Sequence, residues 1–328
     1  MSKTFFDEAE VPKTLRGTVR AFAVESMGRR LRYFEPDRCY FVTARCFQAR
    51  LLLRPSPSTN ALIGGILARA ARLYAVELFA FVFASNHVHL LVRAPRGNLP
   101  GFMQFLLGNV ARKVAPLVPW QGRLWERRYA AAPVLDSDAL DERLRYILAH
   151  GVKEGLVKRC SEWPGLSSLG QLLGNAVRPA NWFNWSRRAR MRLSQRADRL
   201  DSRFAEVEQL EVRPLPGWEH LAEQERVERV RAVVADIERK AAKEHPTPLG
   251  VAEVLAQQPY KRTIRPKRGP APLCHTTDPK LRAVFREAYV DFVHAARRGA
   301  AKARERVMAL IPRYEVRLFL WPTAVAAA

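Results

Sequence analysis

Residues 78–95 read LFAFVFASNHVHLLVRAP. Two runs of apolar, aromatic and β-branched residues, 78–84 and 87–94, flank the turn-prone pair Ser85-Asn86, a pattern that predicts an antiparallel hairpin. Side chains alternate along a strand, so His87 and His89 share one face while Val88, Leu90 and Val92 share the other. The aliphatic face calls for a helical cover. The histidine face is left for another purpose.

The flanking sequence extends this hairpin into a sheet. CYFVTARC (39–46) reads as a strand, and STNALIGGILARAARLYA (58–75) as a helix with Ser58 as N-cap and Leu62, Ile66, Ala70 and Leu73 recurring at helical spacing. Asn98 to Ala115 reads as a second helix with Phe102, Phe105, Leu106, Val110 and Val114 on one side, stopped by Pro116. GRLWERRYAAAPVL (122–135) is strand-like. A third helix is expected from Ser137 or Asp138 to Val157, with Asp141 and Glu142 in its first turn, where the helix dipole favours acids. The order β-α-β-β-α-β-α is the split βαβ arrangement. It predicts an α+β fold with a ferredoxin-like, four-stranded antiparallel sheet, helices on one face and a second face open to carry a site.

Only seven histidines occur in the chain, and two of them form His87-Val88-His89. Imidazoles about 7 Å apart along one strand can lean onto a single cation, although the pair taken alone reads more readily as partly exposed strand histidines. The third helix adds Tyr146 and His150, four residues apart and so on one helical face, while Leu140, Leu144, Ile147 and Leu148 are free to pack on the sheet. By itself this second pair reads equally well as a half-buried tyrosine and a solvated histidine.

With 55 Lys and Arg against 32 Asp and Glu, the formal charge is +23, which points to a polyanion, nucleic acid first. The 48% hydrophobic content supports a packed core and excludes a wholly disordered chain. No apolar run approaches the roughly 20 residues of a membrane span, and the N-terminal MSKTFFDEAEVPKTLRG has no apolar stretch of the secretory type. Cys39, Cys46, Cys160 and Cys274 form no CxxC, which argues against a disulfide scaffold or zinc knuckle and for a reducing cytoplasm. There is no Walker A motif and hence no expected nucleotide cofactor.

Beyond residue 170 the chain reads as basic and mainly helical. Trp182 and Trp185 lead Arg187, Arg188, Arg190, Arg192 and Arg196, and a Pro-rich segment carries Lys261, Arg262, Arg265, Lys267 and Arg268 without an acid. Arginines neutralise phosphates and indoles stack on unpaired bases, so both stretches are candidate nucleic-acid contacts, as are Arg127 and Arg128 beside Trp125 and Tyr129. Core tryptophans beneath a solvated basic helix explain the first stretch as well. The expected organisation is an N-terminal extension (1–32), a sheet domain (33–170) closed by Trp163-Pro164-Gly165, and the basic region 171–328.

SNHVHLLVRAP (85–95), GRLWERRY (122–129), the helix carrying Tyr146-Ile147, Val152-Lys153 and Gly155-Leu156-Val157, and WPGLSS (163–168) together resemble the IS200-like HUH (Y1) transposases, in their REP-associated tyrosine transposase branch. The resemblance spans roughly residues 33 to 170. It implies an HUH nuclease fold and a metal-dependent single-stranded DNA transesterase acting on single-stranded or hairpin DNA through a 5′-phosphotyrosine. It also implies Tyr146 as nucleophile and His87 and His89 as metal ligands. The family more often has Asn or Gln where this chain has His150. An imidazole still ligates, but it turns the preference from Mg²⁺ toward Mn²⁺ or Zn²⁺. Tyr129, beside two arginines, is the rival nucleophile. The alternative reading is a non-catalytic single-stranded DNA or RNA binding protein on the same fold, and a third is a hydrolase that activates water.

Overall fold

A computed structural model describes residues 30–191, 202–261 and 272–310. It divides into two compact units, Phe34–Arg286 and a smaller one joining Met1–Tyr33 to Glu287–Ala328. In the larger unit the elements run β1 (Cys39–Arg45), α1 (Pro57–Tyr74), β2 (Glu77–Ala84), β3 (His87–Arg93), α2 (Leu99–Lys113), β4 (Ala130–Val134), α3 (Ser137–Leu148) and α4 (His150–Lys153). The sheet order is β2-β3-β1-β4 with every neighbouring pair antiparallel, which is the expected ferredoxin-like split βαβ.

The hairpin forms as read, with Ser85-Asn86 between β2 and β3. Strict alternation would put Phe79, Phe81 and Phe83 on one face. A bulge between Leu78 and Ala80 breaks it, so Leu78, Phe81 and Phe83 join the core under α1 and α2 while Phe79, Ala80 and Val82 join the opposite layer.

That opposite layer corrects the expectation of an open face. Leu140, Leu144, Ile147 and Leu148 of α3 pack against it, joined by Trp218 and by Val230 and Ile237 of α7 (Glu223–Glu244). The sheet therefore has helices on both sides. A sheet carrying Phe79, Ala80, Val82 and Leu91 on its second face has too much apolar surface to leave wet.

Several boundaries differ from the sequence reading. Ser56, not Ser58, caps α1, accepting from the Thr59 amide at 3.1 Å, because Pro57 is suited to the first helical position. Asp136 caps α3 through the Ala139 amide at 2.7 Å. The helical run breaks at Ala149 and ends at Lys153 rather than Val157: Gly155 takes φ +63°, and the Leu156 and Val157 amides turn back to the Gly151 carbonyl. Of 122–135 only Ala130–Val134 joins the ladder. Trp125 makes one bridge to Cys46 and then donates from its indole to the Leu107 carbonyl at 2.9 Å, which draws the segment onto α2.

Past residue 170 the mainly helical extension also contains a β-ribbon, β5 (Val177–Phe183) and β6 (Ala205–Glu211), that the sequence reading did not include. It lies across α1, where Gly65 lets the chains approach: a Cβ there would sit 1.9 Å from the Asn181 carbonyl oxygen. Buried Glu208 pairs with Arg69 and Arg72 of α1 at 2.6 and 2.7 Å. Ala180, Phe183 and Leu210 complete the α1–α2 core, so the region beyond residue 170 contributes to both layers. The other α-helices among the described residues are α5 (Leu169–Leu172), α6 (Trp185–Arg190), α8 (Val251–Ala256) and α9 (Pro279–Leu310). In the smaller unit, the Tyr33 and Phe292 rings meet at 4.9 Å, tilted by 42°, and the Tyr289 hydroxyl donates to the Leu31 carbonyl at 3.0 Å. All four cysteines are free and buried, and among the described residues no helix is long and apolar enough to cross a membrane.

Candidate active site

β3 delivers His87 and His89 to one sheet face, and the α3–α4 break places His150 above them. The ring centroids lie 4.7 Å (His87–His89), 4.5 Å (His87–His150) and 5.3 Å (His89–His150) apart, and one nitrogen from each falls within 4.8 Å of the others. The convergence follows from strand alternation at β3 combined with α3 packing its leucines on the same face.

The rings are oriented from behind. Thr43, directly across the β1–β3 ladder from His89, meets its Nδ1 at 2.9 Å, and Asn86 meets His87 Nδ1 at 2.5 Å. Both contacts occupy Nδ1 and leave Nε2 available, the arrangement in which an outer hydrogen bond fixes a metal-ligating imidazole. His89 Nε2 is buried and has no hydrogen-bond partner among the described residues.

Burial first, and then the neighbouring imidazoles and Arg45, hold His87 well below the ordinary histidine value. Burial, then His150 and Arg45, does the same to His89. Burial and Lys153 bring His150 to about 4. All three are therefore neutral near pH 7 and offer lone pairs. Three neutral imidazoles around an unsatisfied buried nitrogen fit a divalent cation.

Tyr146 stands beside this cluster. Its ring meets His89 edge-on at 5.1 Å and Phe41 at 5.8 Å, and lies 6.3 Å from His150. The Lys153 ammonium sits 4.7 Å and the Arg143 guanidinium 5.6 Å from the ring centroid. Burial raises the phenol above its usual value, with Glu154 adding to this and Arg143 and Arg45 opposing it. Arg145, the preceding residue, pairs with Asp236 of α7 and ties this stretch of α3 in place.

The structure thus gathers His87, His89, His150 and Tyr146. Tyr129 is buried in the opposite layer, under α1 and α2, away from the imidazoles. Arg127 and Arg128 are exposed just before β4. On α6, Arg187 and Arg190 are exposed, Arg188 is half-buried, and half-buried Trp185 has the Lys113 ammonium 4.0 Å over its ring. Lys261 is exposed. Arg192, Arg196, Arg262, Arg265, Lys267 and Arg268 lie outside the described residues.

Sequence reasoning passed over Thr43, Asn86, Arg143 and Lys153. Thr43 required the β1–β3 register. Arg143 and Lys153 were within reach, since they lie three residues before Tyr146 and three after His150.

Residues 56–150 match the family model described as transposase, IS200-like, a segment that includes all four gathered residues and ends at His150. This segment of the chain is similar to the IS200-like transposases over that span. No curated protein matches the chain. Solved structures similar to it include two transposases. One is a REP-associated tyrosine transposase bound to a REP hairpin, 17% identical, covering 55% of this chain and 98% of that one at a TM-score of 0.39. The other is a candidate transposase from Deinococcus radiodurans, 23% identical, covering 37% of this chain and 95% of that one at a TM-score of 0.28.

Proposed function

We propose that the chain is a metal-dependent single-stranded DNA transesterase that cuts and rejoins DNA through Tyr146. The observation that carries this reading is the meeting of three neutral imidazoles with one half-buried phenol in a segment matching the IS200-like transposases. The substrate is hairpin or single-stranded DNA, in keeping with the charge of +23. The work belongs to the cytoplasm, and residues 33–170 supply the chemistry while 171–328 add basic surface.

His87, His89 and His150 would hold a divalent cation, Mn²⁺ or Mg²⁺ with Zn²⁺ also suited to the set. When bound, it would supply Lewis acidity at the scissile phosphate. Tyr146 Oη attacks phosphorus as its proton leaves. The bond from phosphorus to the 3′ oxygen breaks, that oxygen takes up a proton, and a 5′-phosphotyrosine remains. A second strand's 3′-OH reverses the step: a new phosphodiester forms, the tyrosyl bond breaks and the phenol regains its proton. No nucleotide is needed, because the ester linkage is conserved throughout. Arg143 and Arg45 favour the phenolate against the opposing effect of burial.

Labelled hairpin DNA incubated with the protein and Mn²⁺, then run on a denaturing gel, is the test. The expected result is a protein–DNA adduct that disappears with Tyr146→Phe and persists with Tyr129→Phe. Cut DNA without any adduct would indicate a hydrolase, and bound but uncut DNA would indicate a binding protein.

A further inference from the structure

Outside the histidine cluster, a cavity of about 320 Å³ is lined by Glu142, Pro272, Leu273, Cys274, His275, Thr276, Arg282 and Arg286. One wall is a short strand-like segment added parallel to β4. The His275 amide donates to the Pro133 carbonyl at 2.8 Å, and the Leu135 amide donates to the His275 carbonyl at 2.9 Å. Asp136 locks the segment by accepting from the Thr277 amide at 3.0 Å and from the hydroxyls of Thr276 and Thr277 at 2.5 and 3.2 Å. Arg282 and Arg286, one turn apart near the start of α9, form the other wall.

The charge in this cavity is unbalanced. Arg282 donates only to the Thr276 carbonyl at 2.8 Å, and neither it nor Arg286 has an ion pair among the described residues. The one carboxylate present, Glu142, already lies 3.4 Å from the Arg143 guanidinium. Two guanidiniums without a carboxylate partner among the described residues, in a pocket of this size, suit one anionic group. Small-ligand sites run from about 300 to 1,000 Å³, so the volume is that of a single nucleotide unit.

Its position joins it to the proposed chemistry. Glu142 and Tyr146 are one helical turn apart on α3, which separates their Cβ atoms by about 5–6 Å. The His275 ring meets Phe41 at 5.4 Å, and Phe41 meets Tyr146 at 5.8 Å. A strand with its scissile phosphate at Tyr146 would bring a neighbouring linkage to this cavity.

We propose that the cavity binds the phosphodiester of a nucleotide flanking the cleavage point, with Arg282 and Arg286 on its oxygens and Pro272 and Leu273 against its sugar. This rests on the transesterase reading for the identity of the strand. It adds a positioning site whose proposed contacts, Pro272, Leu273, Arg282 and Arg286, lie beyond the segment that matches the family.

The test is affinity for fluorescent hairpin DNA with single-stranded flanks, measured on the full chain against salt and against a methylphosphonate scan of the flanks. Arg282→Gln with Arg286→Gln should weaken binding about tenfold, the effect of losing a charged hydrogen-bonding partner. It should also lower the slope of log K against log salt by about 0.7 for each phosphate that is no longer neutralised. One flanking linkage, when neutralised, should weaken the parent protein and leave the double variant unaffected. Equal affinity of the two proteins, or equal sensitivity to every neutral linkage, overturns the proposal. Neither readout requires cleavage. A parent that binds with this pattern yet forms no adduct defeats the transesterase reading alone, whereas an adduct without the pattern defeats the cavity alone.

Discussion

On one face of β3, Val88, Leu90 and Val92 are fully buried beneath α1 and α2. On the other, His87 and His89 lie under the α3–α4 break with Phe41, Tyr146 and His150. The same seven-residue strand serves both, and burial acts on both sides, but to different ends. Burial on the aliphatic side yields stability through transfer of apolar surface. Burial on the histidine side keeps the imidazoles neutral, and His89 Nε2 has no hydrogen-bond partner among the described residues. Burial alone therefore does not distinguish core from site. The distinction lies in whether the buried atoms have partners.

Substitutions on the two faces should separate the two roles. Tyr146→Phe is expected to have the largest effect, abolishing the covalent adduct while DNA affinity stays within a few-fold, because the ring keeps its packing. Adduct formation by that variant in a denaturing gel would move the nucleophile elsewhere. His87→Ala should slow cleavage on the order of 100-fold and weaken calorimetric Mn²⁺ binding, with excess metal restoring part of the rate. An unchanged metal affinity would detach the triad from any cation.

Leu90→Ala, on the aliphatic face, should cost about 2–5 kcal/mol in urea unfolding, with adduct formation per folded molecule unaltered. Loss of chemistry beyond the loss of folded protein would show the two faces to be coupled.

Acid should act on the histidine side. His150 and His275 are held at about 4, while an unfolded chain protonates them near 6.5. Between these values the unfolded chain binds more protons, so their contribution is complete above 6.5 and is lost as pH falls toward 4. For His275 the loss should be about 2 kcal/mol, after discounting for its partial exposure. Comparing unfolding at pH 7 and 4.5 for the parent and His275→Phe checks this, with a smaller acid effect expected in the variant.

The smallest expected change is Thr43→Val. It should lower metal affinity about tenfold by freeing His89 Nδ1, with unfolding midpoints nearly unchanged. No change in metal affinity would make the Thr43 contact incidental.

Much of this molecule follows from short-range pattern. Alternation in 78–95 is enough to separate the aliphatic and histidine faces, and the order of strands and helices is enough to set the sheet topology, because periods of 2 and 3.6 are local properties of the backbone. Tyr146 and His150 could be paired for the same reason. Other features depend on contacts between residues distant in sequence. Phe79 changed faces through a bulge, which takes the β2–β3 ladder to define. The second face proved covered because α3 and α7 both lay leucine, valine and isoleucine against it. Thr43 reached His89 only through the register of β1 with β3, and Cys274, His275 and Thr276 came to the edge of β4 from about 140 residues further along the chain. Sequence by itself determined which residues could share a face. Tertiary structure decided which faces met, because long-range packing and hydrogen bonding choose among locally equivalent arrangements.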